Sequence, residues 1–292
     1  YPDYFYLYAM ILNKIKLPQH YNYIGVFLSL SCNLSCSYCI NHLVGLNKTR
    51  RLLNDQDWIN GLNRIVSPQS IPISIQGGEP SIHRDFYKII NGINEKTSLD
   101  ILTNIQFDPS VFIKKISNKR FSRDLPYPAI RVSYHPETMD LKKTIEKVKI
   151  LHDNGYSIGI FSVDIPKYKK EIFIAKEMCT KNDLIFKTKE FLGMYDGKLY
   201  GTYKYPESVF SNTEKECLCK TSELLICPEG FVYRCHHDLY NKINPIGDLL
   251  DNNFTIMDEF KPCSYFGKCN PCDVKLKNNR LQEFGHCSVE IK

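Results

Sequence analysis

The chain has 292 residues, 43% of them hydrophobic and 24% charged, with a net charge of +6. That balance excludes wholesale disorder, and the absence of a basic arm or low-complexity tract argues against a nucleic-acid partner. No stretch reaches the roughly 18 uncharged apolar residues that a membrane helix needs.

In chain order, the first segment, 4–15, is apolar but carries Lys14, so it reads as an amphipathic or core helix. The chain opens Tyr-Pro-Asp. It shows neither a basic secretory leader, which leads us to expect a cytoplasmic protein, nor an initiator Met, so the native N-terminus is left open. Apolar, β-branched runs then begin near Ile24, Ile71, Leu99, Ala129, Tyr156 and Leu184. After the first, they recur roughly every 28 residues, the length of a βα unit. Amphipathic stretches separate them, among them Asp55 to Val66, Asp85 to Ile93 and Asp140 to Leu151, each opening at an acidic residue that suits a helix start. Six parallel strands with crossover helices make an α/β fold, either an open doubly wound sheet or a partial barrel. Function in both sits at the C-terminal ends of the strands. Residues 193–216 lose the rhythm and gain Gly, Tyr and Pro, so the domain boundary is placed there: 1–23 as an N-terminal segment, 24–192 as the barrel and 193–292 as a smaller domain.

The twelve cysteines are unevenly spread. Cys32, Cys36 and Cys39 follow the first strand, Cys179 stands alone in a helical stretch as a small buried hydrophobe, and eight crowd into residues 217–292. A chain long enough to build its own core has no need of a disulfide scaffold, so the pattern suggests two thiolate-built metal sites in a reducing compartment. Three thiolates in Cys-x3-Cys-x2-Cys can hold three irons of a cubane cluster and leave the fourth open; a zinc knuckle or three free cysteines is the plainer alternative. Further along, Cys219, a Cys227-Pro-Glu-Gly230 turn and Cys235 read as a β-hairpin, followed by Cys263-x5-Cys269-x2-Cys272.

With Tyr38 before its last cysteine, and with Gln76-Gly77-Gly78-Glu79-Pro80 ending the second strand, the first cluster resembles the radical S-adenosylmethionine superfamily. The resemblance implies a partial (β/α)6 TIM-like barrel. It also implies a 4Fe-4S cluster on Cys32, Cys36 and Cys39, with S-adenosyl-L-methionine chelated to the open iron. Tyr38, Gly77, Gly78 and Glu79 then belong to the cofactor site, Glu79 as acceptor for the methionine ammonium. Softer matches add Asn104, Ser133 and Lys142; Ile105 stands where close relatives carry Gly. His135 beside Ser133 is a weak catalytic candidate as proton donor or acceptor. The implied activity is reductive cleavage to a 5′-deoxyadenosyl radical that abstracts a hydrogen atom from substrate, fed by a one-electron reductant such as flavodoxin or ferredoxin.

The C-terminal cysteines are similar to the SPASM or shorter Twitch extension, a small Cys-rich α+β domain, with the Gly230-x4-Cys235 spacing of that pattern. By that resemblance Cys219, Cys235, Cys269 and Cys272 are read as ligands of one auxiliary 4Fe-4S cluster that relays electrons, and eight cysteines would suffice for two. Cys217, Cys227, Cys263 and Cys287 are reserves. The substrate is read as a small molecule (sugar, nucleotide or alcohol), with peptide maturation as the alternative. An iron-sulfur binding module with a degenerate barrel is the non-enzyme reading.

Overall fold

A computed structural model describes residues 13–43, 52–69, 71–122, 126–212, 215–269, 271–277 and 286–292. Most of the 4–15 segment therefore lies outside the described residues. Six strands alternate with helices: β1 (Tyr23–Ser29), α1 (Asp55–Leu62), β2 (Ile73–Gly77), α2 (Phe86–Gly92), β3 (Leu99–Thr103), α3 (Pro109–Lys115), β4 (Ile130–Ser133), α4 (Leu141–Asp153), β5 (Ile158–Asp164), α5 (Lys169–Lys181) and β6 (Phe186–Glu190). They lie parallel in the order β1-β2-β3-β4-β5-β6. Of the two architectures that the strand-and-helix rhythm allows, this is the partial barrel, the one the resemblance implies, with each crossover helix packing on the sheet.

Local chemistry sets the helix starts. Asn54 Oδ1 accepts from Asp57 N at 2.8 Å to open α1, and Asp140 Oδ1 accepts from Lys143 N at 2.9 Å to open α4. At α3, Asp108 Oδ1 takes Ser110 N at 2.8 Å while Pro109 fills the first helical position. Alternation sets the strand faces. Ile24, Val26 and Leu28 of β1 pack with the helices in the main core, whereas Tyr23 and Phe27 point to the other side. Ile73 and Ile75 of β2 face the helices likewise, leaving Ser74 and Gln76 on the inner side.

The C-terminal segment does more than follow this barrel. After β7 (Cys217–Thr221) comes β8 (Glu223–Ile226), which pairs parallel with β1, Glu223 opposite Tyr23 and Ile226 opposite Val26. The Cys227–Gly230 turn, with Gly230 at φ +89°, returns the chain as β9 (Phe231–Tyr233), and β10 (Gly247–Asp248) adds the last strand. The result is one nine-stranded sheet, β10-β9-β8-β1-β2-β3-β4-β5-β6. The hairpin predicted around Pro-Glu-Gly is present; its seating against β1 could not be read from the sequence. Leu225, Tyr233, Leu239 and Tyr240 cover Tyr23 and Phe27 in a second, smaller core. A separate three-stranded sheet sets β7 between β11 (Lys261–Cys263) and β12 (Val289–Ile291). Two short helices, α6 (His236–Asn241) and α7 (Pro271–Val274), complete this end. Among the described residues, no helix is long and apolar enough to cross a membrane.

Candidate active site

The first cysteine loop leaves β1 and is seated directly on the end of β2. Gly78 N donates to Ser29 O at 2.7 Å and Glu79 N to Ser31 O at 2.9 Å. The contact is so close that only glycine fits. A Cβ on Gly77, whose φ is +132°, would lie 2.1 Å from Ser29 O, and one on Gly78 would lie 2.0 Å from Ser31 O. In the structure these two glycines make a close approach to the cysteine loop itself.

Glu79 is 1% exposed. Its Oε1 accepts from Ser81 N at 3.0 Å, Ser81 Oγ at 2.5 Å and Thr103 Oγ1 at 2.7 Å, and its Oε2 from Asn104 N at 2.6 Å. One carboxylate thus ties the end of β2 to the end of β3. With a single hydrogen bond described at Oε2, that oxygen retains a lone pair for a further donor. Asn104, 4% exposed, continues the chain of contacts, its Nδ2 lying 2.8 Å from Asn33 Oδ1 and 3.7 Å from Cys32 Sγ. Asn104 therefore touches the cysteine loop and is more than a turn residue.

The loop after β4 grips the same cysteine segment from the other side. Ser37 N and Oγ both donate to Glu137 Oε2 at 3.0 Å, Tyr38 Oη lies 2.8 Å from His135 Nδ1, and Cys36 Sγ lies 3.4 Å from Thr138 Oγ1. Burial lowers the pKa of His135 to about 4, partly opposed by Glu137, so its ring is neutral near pH 7. Burial raises Tyr38 and Cys36 above their ordinary values, and the Thr138 hydroxyl pulls Cys36 back toward its anionic form. Ser133 is half-buried at the strand end, while Lys142 is exposed in the first turn of α4. The α4 lysine that reaches the strand-end loops is Lys147, donating to Ile105 O at 3.0 Å and Phe107 O at 3.1 Å. Sequence reasoning missed Thr138, Glu137 and Lys147. Lys147 lies about one helical turn beyond Lys143 on α4.

At the other end of the chain, Cys217, Cys219, Cys235, Cys263 and Cys269 line one cavity. Cys217 sits directly across from Cys263 in the β7–β11 pairing. Cys235 caps α6, its Sγ accepting from Asp238 N at 3.4 Å, and the Asp273 carboxylate accepts from His236 N at 2.9 Å and His237 N at 3.2 Å. Three of the four cysteines read as auxiliary ligands, Cys219, Cys235 and Cys269, are thus brought together. Cys272 is next to Asp273, which lines the same cavity, and Tyr203, Tyr240, Lys275, Lys277 and Glu223 also lie around it. Burial raises the thiols of Cys219, Cys235 and Cys269, the last to about 12, and neighbouring thiols push the same way. Thiols crowded in this way ionise only when a cation offsets the charge, and a bound metal does that. Among the described residues, no three His, Cys, Asp or Glu side chains converge on the position of one ion. Thiolates of a cubane each bind a different iron, so they spread around the cluster.

The sequence profile of the radical SAM superfamily matches residues 26–184, from β1 through the start of β6's approach. The chain belongs to that superfamily, whose members are enzymes of radical chemistry built on a 4Fe-4S cluster and S-adenosylmethionine. Curated relatives match over short stretches. A GTP 3′,8-cyclase of Psychromonas ingrahamii is 29% identical over 75 residues, 26% of this chain and 22% of that protein. Molybdenum cofactor biosynthesis protein 1 of Drosophila melanogaster is 32% identical over 91 residues, 30% of this chain and 16% of that one. The chain therefore spans about a fifth of the curated relatives it matches. Among solved structures, anSMEcpe with bound AdoMet superposes with a TM-score of 0.54 at 15% identity, covering 81% of this chain and 78% of that one. The complex of anSMEcpe with AdoMet and the Kp18Cys peptide gives 0.53 at 12% identity, covering 82% and 78%. These solved structures share the fold of this chain.

Proposed function

We propose that Cys32, Cys36 and Cys39 hold the 4Fe-4S cluster and that the ends of β2, β3 and β4 bind S-adenosylmethionine over it. The observation that carries this reading is the seating of the cysteine loop on Gly77, Gly78 and Glu79, which fixes the loop that carries the three thiols to the strand end where the Glu79 carboxylate is buried. When bound, the two cofactors supply a 5′-deoxyadenosyl radical that takes a hydrogen atom from substrate. The chain's own part is orientation. Glu79 Oε2 accepts from the methionine ammonium with its spare lone pair, Asn104 and Ser133 offer polar contacts at adjacent strand ends, and Lys142 is the basic residue proposed for the carboxylate. Tyr38 and neutral His135 close one wall against water.

The 193–292 unit is proposed to hold an auxiliary 4Fe-4S cluster that relays an electron. Cys219, Cys235, Cys269 and Cys272 are the proposed ligands, and Cys263 and Cys217, which line the same cavity as the first three, are the alternatives for the fourth. The substrate is proposed to be a small molecule such as a nucleotide, sugar or alcohol, which the match to GTP 3′,8-cyclase supports. Peptide modification is the second reading, favoured by a fold likeness to anSMEcpe complexes that reaches into this unit. An external flavodoxin or ferredoxin would deliver the electron.

The test is iron and sulfide content with 5′-deoxyadenosine formation, on anaerobically reconstituted protein. About eight irons per chain, falling to about four in a Cys32/Cys36/Cys39→Ala variant that makes no nucleoside, is the expected result. About twelve would mean two auxiliary clusters. Stoichiometric zinc and no nucleoside from the unaltered chain would overturn the proposal.

A further inference from the structure

The loop between β4 and α4 meets the cysteine loop in antiparallel register: Thr138 against Cys36, Glu137 against Ser37, His135 against Tyr38. Two of these contacts fix position. Glu137 takes both the backbone N–H and the hydroxyl of Ser37, and His135 holds the Tyr38 hydroxyl. The third contact falls on a sulfur. Cys36 is 5% exposed, the most buried of the three loop cysteines, so water has little access to it and a protein donor carries correspondingly more weight. Between a thiol and a hydroxyl either group can donate. Once Cys36 is an iron-bound thiolate it has no proton, so the Thr138 hydroxyl must point its hydrogen at the sulfur.

We propose that Thr138 is a positioning residue that sets the reduction potential of the first cluster through a hydrogen bond to the Cys36 thiolate. Reduction adds one electron, from the external one-electron donor, to a cluster that is then more negative. A donor on a ligand sulfur stabilises that added charge and raises the potential. The Glu137 and His135 contacts hold the loop so that the hydroxyl stays within reach. The inference rests on the proposed three-cysteine cluster. That reading fails by a different result, retention of all iron in the Cys32/Cys36/Cys39→Ala variant.

The experiment compares Thr138→Val, which keeps the shape and removes the donor, with Thr138→Ser, which keeps the donor. Each is reconstituted anaerobically and titrated with dithionite and mediators, following the reduced-cluster EPR signal that changes on adding S-adenosylmethionine; this separates it from any auxiliary cluster. The expected result is a midpoint shifted to more negative potential in Thr138→Val at unchanged iron content, with Thr138→Ser close to the unaltered protein. An unshifted Thr138→Val midpoint would overturn the proposal. So would equal shifts in both variants, which would assign the effect to packing of the methyl group. Loss of iron from Thr138→Val would overturn it too, since the hydroxyl would then serve assembly of the cluster.

Discussion

Single residues near the site show opposing effects whose magnitudes decide the outcome. Ile105 has φ +53°, a conformation that a β-branched residue rarely adopts and that costs about 1–2 kcal/mol. Glycine would relieve that strain. Yet the Ile105 side chain is 0% exposed, and deleting a buried isoleucine costs about 2–5 kcal/mol, so burial outweighs strain. Ile105→Gly should therefore lower stability by up to about 4 kcal/mol in urea unfolding, by the difference of those two terms; a stabilised variant would mean that strain dominates. At Gly78 the balance runs the other way. A methyl group there meets Ser31 O at 2.0 Å, and both partners are backbone, so the cysteine loop must lift. Gly78→Ala should reconstitute with less iron than the unaltered chain and unfold more easily by over about 1 kcal/mol; full iron loading would show that the loop tolerates the shift.

At the scale of elements, the strand ends do the positioning while the helices supply the core. The turn after β4 carries three successive contacts to the cysteine loop, and it also carries a titration. Unfolded, His135 takes up a proton below about pH 6.5. Folded, burial holds its pKa near 4, so the native state binds fewer protons between those values. Stability contributed by the neutral ring is therefore complete above pH 6.5 and declines as the pH falls toward 4. In His135→Gln the slope of unfolding free energy against pH should flatten by up to about one proton in that window. An identical slope would show that His135 titrates normally. The hairpin of β8 and β9 illustrates what an element's sequence encodes. Alternation and the Pro-Glu-Gly turn specify its two strands, but the choice of β1 as its neighbour comes from Leu225 and Tyr233 packing against Tyr23 and Phe27.

At the scale of the whole molecule, the parallel seating of β8 on β1 makes residues after 193 part of the barrel's own sheet. A chain ending at residue 192 would leave the β1 edge unpaired and expose Tyr23 and Phe27 on the face that the small core covers. Unpaired apolar edges recruit other chains. Size-exclusion chromatography of 1–192 should show aggregate in place of a monomer; a soluble monomer with cooperative unfolding would mean that the barrel stands alone.

Much was legible in the sequence because it is encoded locally. Apolar, β-branched runs at regular spacing mark six strands, acidic caps mark the helices, and cysteine spacing with the Gly77-Gly78-Glu79 end marks a place for chemistry within single βα units. What only the tertiary structure decided involves residues far apart in the chain. Thr138 meets Cys36 across 102 positions, Cys217 faces Cys263 across 46, and Glu223 opposes Tyr23 in the sheet. No local rule of turn, cap or alternation selects such partners; they follow from which strands are neighbours and from the side-chain packing that fixes their register.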